Sequence, residues 1–217
     1  MRLQRERERV AAAARRLASL RLVLGTAGNV SERCGELVAV TPTGAVLEQI
    51  EAADVAVVDL AGNQLDGPFA PTSELELHLG IYNRYVTGAV VHTHAPIGTA
   101  LSLVLDELPV VHYQMLALGG AIRVAPYATF GTAELAHRTL DALEGRSAAL
   151  LANHGTIAHG PDLDAAVGHA QLLEWASELY WRAAAIGIPR TLDDRQQQAF
   201  LNAVIDRGYG TTHAVTR

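Results

Sequence analysis

The pattern of apolar and polar positions predicts a chain in which helices alternate with short strands. Val10, Ala14 and Leu17 recur at helical spacing in the first segment, with arginine and glutamate on the opposite face. Short apolar runs rich in β-branched residues predict strands at residues 29–33, 36–40, 55–60, 89–91, 110–111, 122–124 and 148–152. Helical periodicity returns at residues 73–85, 133–143, 162–185 and 194–207. Runs of strands with helices on both sides favour an α/β fold built in α/β/α layers.

Capping signals mark the starts of two of these helices. Ser73 and Glu76 have the spacing of a capping box, which places Glu74 in the first turn of its helix. Asp162 is predicted to cap the long helix that follows it.

Composition narrows the class of protein. With 217 residues, 49% of them hydrophobic, the chain can bury one sizeable core, so we expect one domain over residues 1–217. The formal charge is −6 and no basic run interleaves with aromatic residues, so we expect no nucleic-acid partner. Cys34 is the only cysteine, which excludes an intrachain disulfide and fits a reducing compartment. The charged first residues and the lack of a long apolar stretch predict a soluble, cytoplasmic protein with no membrane partner.

A His-Thr-His sequence at the end of an apolar run is the strongest chemical signal. Side chains alternate faces along a strand, so His92 and His94 are expected to point the same way. His154 ends another apolar run, and Glu74 opens a helix, so three imidazoles and one carboxylate are available to a divalent transition metal, most simply Zn²⁺. His78 follows Glu74 by one helical turn and is expected to support the site or to pack. The other histidines considered are expected to face solvent or to pack locally: His137, His159, His169 and His213.

Three segments of small and hydroxyl-bearing residues predict an anion site. They are residues 25–29, 41–44 and 71–73, and the last lies at a helix start, where the helix dipole favours negative charge. A metal beside a phosphate site indicates chemistry on a phosphorylated sugar. The metal would polarise a carbonyl and stabilise an enediolate, Glu74 would move a proton on carbon, and a tyrosine would serve a hydroxyl group.

These motifs together resemble the class II aldolase/adducin family, closest to its L-fuculose-1-phosphate aldolase branch. The resemblance runs from the first helix to about residue 209. It is carried by the stretches Gly25–Ser31, Thr41–Gly44, Pro71–Glu74, Ala89–His94, His112–Tyr113, Ala125–Thr132 and Asn153–Gly155.

The resemblance implies a three-layer α/β/α fold around a central mixed, mostly antiparallel sheet. It implies a homotetramer with active sites between subunits, in which Tyr113 comes from a neighbouring subunit and Phe130 and Tyr209 line the pocket. It implies Zn²⁺ held by His92, His94 and His154, with Glu74 as a fourth ligand that leaves when substrate arrives. The phosphate-binding residues that it implies are Gly28, Asn29, Thr43, Gly44, Thr72 and Ser73.

The implied reaction is retro-aldol cleavage of a ketose 1-phosphate. Tyr113 would accept the proton of the C4 hydroxyl, the C3–C4 bond would break, and Glu74 would deliver a proton to C3. The products would be dihydroxyacetone phosphate and a short aldehyde.

Four alternatives lie on the same scaffold. One is a related aldolase that acts on another ketose 1-phosphate, because the aldehyde end is bound by the least distinctive residues. A sugar-phosphate 4-epimerase of the L-ribulose-5-phosphate type normally has aspartate at the position of Glu74, and differs again around Tyr113. A methylthioribulose-phosphate dehydratase lacks support from its usual pocket residues. A non-catalytic interaction domain like the adducin head would lack the metal ligands, all of which are present in this chain.

Overall fold

A computed structural model describes residues 1–207. Its helices are α1 (Gln4–Ser19), α2 (Leu75–Arg84), α3 (Pro96–Ser102), α4 (Ala133–Ala142), α5 (Leu163–Ile186) and α6 (Asp194–Arg207), with a 3-10 helix at Tyr113–Leu118. Its strands are β1 (Asn29–Cys34), β2 (Leu37–Val40), β3 (Ala56–Asp59), β4 (Gln64–Asp66), β5 (Ala89–Thr93), β6 (Glu107–Leu108), β7 (Ile122–Ala125), β8 (Ala148–Leu151) and β9 (Gly155–Gly160). None of the helices in this part of the chain is long and apolar enough to span a membrane.

The strands form one sheet in the order β4-β3-β2-β1-β5-β9-β8-β7-β6. Neighbouring strands are antiparallel except for β7 and β8, which are parallel. The prediction of a mixed, mostly antiparallel sheet is therefore confirmed. Strand β5 lies at the middle of the sheet and is buried along its whole length.

Helices cover both faces of this sheet. Val91 of β5 packs in a cluster with α1, α3 and α5, whereas Val90 points the other way and packs with α2 and α4. Successive side chains on a strand face opposite sides, so each face of β5 supplies one of the two cores. The predicted α/β/α layering is confirmed, and it explains why β5 begins with an unbroken apolar run at residues 89–91.

Two local predictions were wrong, and two strands, β4 and β9, were not predicted. Residues 110–111 are not a strand, because the Val110 carbonyl accepts from the backbone of Leu192, and the neighbouring strand is Glu107–Leu108. The capping box at Ser73 and Glu76 does not form, because α2 is capped at Glu74 with no side-chain cap. Strand β9 was not predicted, because its two glycines and its polar residues interrupt the apolar pattern, although the strand is mostly buried.

Candidate active site

Three imidazoles converge at the C-terminal end of β5, the central strand of the sheet. His92 lies near the end of β5, His94 is the first residue beyond that strand, and His154 lies in the turn between β8 and β9. Because β9 pairs with β5 in antiparallel register, the turn that precedes β9 reaches the end of β5. One ring nitrogen from each histidine lies within 4.8 Å of the others, and the Nε2 atoms of His92 and His94 are 3.1 Å apart.

The protonation of His92 follows from its contacts. Its Nδ1 lies 2.9 Å from the Thr156 carbonyl oxygen, which can only accept, so Nδ1 carries the hydrogen. Complete burial lowers the pKa of His92 to about 3, so the ring is neutral and Nε2 keeps its lone pair. That lone pair faces Glu74 Oε2 at 3.2 Å. Two electron-rich atoms in this position favour a cation between them.

Glu74 sits at the other side of the same cluster. The residue caps α2 and is only 7% exposed, and its Oε1 lies 3.4 Å from His154 Nε2. Burial is the largest single effect and raises the pKa of the Glu74 carboxyl. His92, the amide of Asn29 and His154 together lower this pKa by more, so the net pKa is below its ordinary value. Within residues 1–207, Glu74 Oε1 is buried without a hydrogen-bond partner. Three imidazoles and a carboxylate with an unpartnered oxygen fit a divalent transition metal.

Gly155 makes this convergence possible. A Cβ atom at this position would overlap the Thr93 carbonyl oxygen, and would lie 3.1 Å from His94 Cδ2 and 3.3 Å from His92 Cε1. Only glycine therefore lets β9 and the imidazoles approach so closely.

A cavity of about 300 Å³ opens over the histidine cluster. The three predicted metal ligands that line it are Glu74, His94 and His154, while His92 lies buried beneath. All six predicted phosphate-binding residues line it as well: Gly28, Asn29, Thr43, Gly44, Thr72 and Ser73. Phe130 lies at the same cavity and is 64% exposed. Three more wall residues belong to the predicted anion-binding segments: Thr26, Ala27 and Pro42. The sequence reasoning gave no role to the remaining three, which lie in the stretches that carry the family resemblance: Tyr127, Ala128 and Asn153.

The cavity wall offers neutral donors. Among the described residues, no arginine or lysine side chain lines it. The backbone N–H groups of Thr43 and Thr72 already donate to the carbonyls of Ala70 and Thr41. These two threonines therefore have their hydroxyls left for a ligand. The Thr72 hydroxyl also accepts from the Glu74 N–H at 3.2 Å, which leaves its hydrogen available.

Tyr113 lies elsewhere in the chain. It belongs to the 3-10 helix, with its ring 4.6 Å from the ring of Phe200 in α6, and it does not line the cavity described above. Tyr209 and His213 fall outside the described residues.

Two other predicted local roles can be seen in the fold. His159 stacks on Tyr85 and contacts the Thr87 hydroxyl, so it packs locally as expected. His78 is fully buried behind Glu74, with Asn29 between them.

A comparison with family models supplies the deciding observation. The model described as "Class II Aldolase and Adducin N-terminal domain" matches residues 8–181. The chain belongs to this class II aldolase family.

Curated relatives match this class II aldolase over nearly its whole length. A 5-methylthioribulose-1-phosphate/5-deoxyribulose-1-phosphate aldolase of Rhodospirillum rubrum is 42% identical over 191 residues, covering 87% of this chain and 86% of the relative. A 5-deoxy-D-ribulose 1-phosphate aldolase of Bacillus thuringiensis serovar kurstaki is 36% identical over 213 residues, covering 97% and 99%.

A solved structure agrees with the fold. An L-fuculose 1-phosphate aldolase superposes with a TM-score of 0.88 at 33% identity, covering 92% of this chain and 96% of the other. The predicted family and enzyme class are confirmed: the chain is an aldolase, a carbon–carbon lyase.

Proposed function

We propose that this aldolase cleaves a ketose 1-phosphate between C3 and C4, giving dihydroxyacetone phosphate and a short aldehyde, with Zn²⁺ as its metal. The observation that carries the proposal is the lone pair of His92 Nε2, which faces Glu74 Oε2 at 3.2 Å below a cavity lined with neutral donors. The names of the relatives support the same substrate class.

His92, His94, His154 and Glu74 are the proposed metal ligands. A divalent cation held there would supply Lewis acidity to the carbonyl oxygen of the substrate. The six predicted residues around the cavity would bind the phosphate through hydroxyl groups and backbone or amide N–H groups: Gly28, Asn29, Thr43, Gly44, Thr72 and Ser73. Since they line the same cavity as Glu74, His94 and His154, they would keep the phosphate beside the reacting carbons.

Glu74 is the proposed proton carrier at C3. Its Oε1 is buried and unpartnered among the described residues, so it can hold a proton and deliver it to carbon without first breaking a protein hydrogen bond. Its low pKa favours the ionised form, which is the form that takes the C3 hydrogen of dihydroxyacetone phosphate in the condensation direction. In cleavage Glu74 would take up a proton from solvent before it delivers that proton to C3, which balances the proton released from the C4 hydroxyl.

The acceptor for the C4 hydroxyl proton is proposed to be Tyr113 of a neighbouring subunit. Its own chain keeps Tyr113 against Phe200, away from the cavity, which supports a site completed by another copy in a homotetramer. We propose that Tyr209 closes the pocket and that Phe130 contacts the aldehyde end of the substrate.

We propose one domain over residues 1–217, because both buried clusters pack on the same sheet. We also propose a cytoplasmic location and no nucleic-acid partner, as the charge and composition predict.

A 5-deoxyribulose 1-phosphate is the favoured substrate within this class. The two relatives named for it are 42% and 36% identical over 87% and 97% of this chain, whereas an L-fuculose phosphate aldolase of Escherichia coli is 40% identical over only 76% of it. The phenyl ring of Phe130 and the neighbouring Tyr127 give the cavity mouth an aromatic wall, which suits a short apolar aldehyde end.

A panel of sugar phosphates tests the proposal. The purified protein would be assayed for dihydroxyacetone phosphate release from 5-deoxyribulose, 5-methylthioribulose and L-fuculose 1-phosphates, before and after chelation and on re-addition of Zn²⁺, Co²⁺ or Mn²⁺. We expect release that chelation abolishes and a metal restores. Turnover of L-ribulose 5-phosphate to its C4 epimer, with no triose phosphate formed, would instead support the epimerase.

A further inference from the structure

A chain of buried polar side chains runs from Glu74 into the core between β1 and α2. The Asn29 amide nitrogen donates to Glu74 Oε2 at 2.9 Å, and Asn29 Oδ1 lies 2.5 Å from His78 Nε2. His78 Nδ1 lies 2.7 Å from the Ser31 hydroxyl, which lies 2.8 Å from the Tyr82 hydroxyl. All five residues are buried, so their polar groups depend on one another.

The carboxylate determines the direction of every bond in this chain. An ionised carboxylate only accepts, so Asn29 must turn its NH₂ toward Glu74 and its carbonyl oxygen toward His78. That oxygen only accepts, so His78 Nε2 must carry the ring hydrogen.

The remaining two bonds follow in the same way. His78 is then left with a lone pair on Nδ1, so the Ser31 hydroxyl donates to it. Ser31 has no second hydrogen, so Tyr82 donates to Ser31. Burial lowers the pKa of His78 to about 4, which agrees with a neutral ring that carries one hydrogen.

We propose that Asn29, Ser31, His78 and Tyr82 form a positioning relay that holds the Glu74 carboxylate in its working orientation. The relay binds Oε2 from the interior and thereby leaves Oε1, which has no hydrogen-bond partner among the described residues, to exchange a proton with substrate. It does not conduct protons, because an amide such as that of Asn29 has no proton to pass on without becoming an imidic acid. The proposal deepens the proposed function and rests on Glu74 as proton carrier.

The first test reads the relay directly and needs no turnover. Nitrogen-15 NMR of the metal-free full chain would report the tautomer of His78, since protonated and unprotonated ring nitrogens have well-separated shifts. We expect hydrogen on Nε2 and an unprotonated, hydrogen-bonded Nδ1. Hydrogen on Nδ1 would reverse the derived bond directions and overturn the relay.

The second test measures what the relay does to the chemistry of Glu74. Exchange of the C3 hydrogen of dihydroxyacetone phosphate with D₂O isolates the Glu74 step, because it needs no aldehyde. We expect His78→Phe to slow this exchange by about 10–100-fold at saturation, the range typical of losing a partner that orients a reactive group, with little change in KM. His78→Gln should recover most of the rate, because its amide can donate to Asn29 Oδ1.

Matched tyrosines separate the relay from general packing. Tyr82→Phe removes the first donor of the relay, whereas Tyr85→Phe removes a hydroxyl nearby that donates to the Leu140 carbonyl instead. We expect slower exchange in Tyr82→Phe and wild-type exchange in Tyr85→Phe. Equal rates in the two variants would overturn the proposal, and this comparison decides it even if His78→Phe does not fold.

A failure of the proposed function would look different. If wild-type protein exchanged no hydrogen of dihydroxyacetone phosphate with any metal, the substrate class would be wrong. The tautomer of His78 would still decide the relay.

Discussion

Gly155→Ala tests whether the convergence of the imidazoles depends on one missing methyl group. The new Cβ would overlap the Thr93 carbonyl oxygen and press against both His92 and His94. A backbone oxygen cannot be moved aside by a rotamer change, so β9 must shift away from β5. Overpacking of this kind costs about 1–3 kcal/mol, which for a chain of this size lowers Tm by roughly 2–12 °C.

The same shift moves the two rings that flank the new methyl group. Loss of orientation in a metal site typically costs about 10–100-fold in metal affinity, so we expect Zn²⁺ to bind Gly155→Ala at least tenfold more weakly. Thermal unfolding of the metal-free protein and calorimetric titration with Zn²⁺ would measure the two effects separately.

Gly168→Ala is the matched control. Gly168 lies inside α5 with nothing near its would-be Cβ, so alanine should stabilise the helix by about 0.5–1 kcal/mol and leave metal binding unchanged. If Gly155→Ala bound Zn²⁺ as tightly as wild type, close approach at Gly155 would not govern the geometry of the ligands.

Four further predictions concern single groups of the site. His92→Ala should lose metal and cleavage together, and a normal metal content would show that the ligand set is wrong. Glu74→Gln should keep the metal but lose at least about 100-fold in turnover, as for a general acid–base group; undiminished turnover would remove Glu74 from its role. Tyr113→Phe should slow cleavage with an unchanged Tm, and an unchanged rate would assign the C4 hydroxyl proton to another group. Burial lowers the pKa of His78 to about 4 in the folded protein. Between about pH 6.5 and pH 4, His78 is therefore protonated in the unfolded chain but neutral in the folded protein. His78 alone should thus lower the stability of the metal-free protein by about 2 kcal/mol at pH 5 relative to pH 7, and urea unfolding should show a fall smaller by that amount in His78→Gln.

Much of the site could be predicted because its residues are close in sequence to strand ends. His92 and His94 could be predicted because they are two residues apart at the end of a strand pattern, and His154 because it follows an apolar run. What periodicity cannot give is the partner of each strand. The antiparallel pairing of β5 with β9 brings His154 to the other two, and β9 itself was missed.

The hydrogen-bonded residues behind Glu74 could not be predicted from the sequence, for a different reason. Ser31 and Tyr82 belong to a strand and a helix whose residues are far apart in the sequence, and each alone reads as an ordinary buried side chain. The start of α2 was misread because the Thr72 hydroxyl binds the Glu74 N–H, so Ser73 turns toward the cavity instead of capping. Local capping rules cannot decide between two neighbouring hydroxyl residues.

The position of β9 bears on how the molecule acquires its site during synthesis. Strand β9 lies between β5 and β8, so the middle of the sheet stays open until residues 155–160 have left the ribosome and inserted. Pairing across so long a stretch of chain is slow, because the loop-closure entropy must be lost before the contacts form. The nascent chain thus has only two of the three imidazoles at first, and the complete cation site forms only after the last strand has inserted.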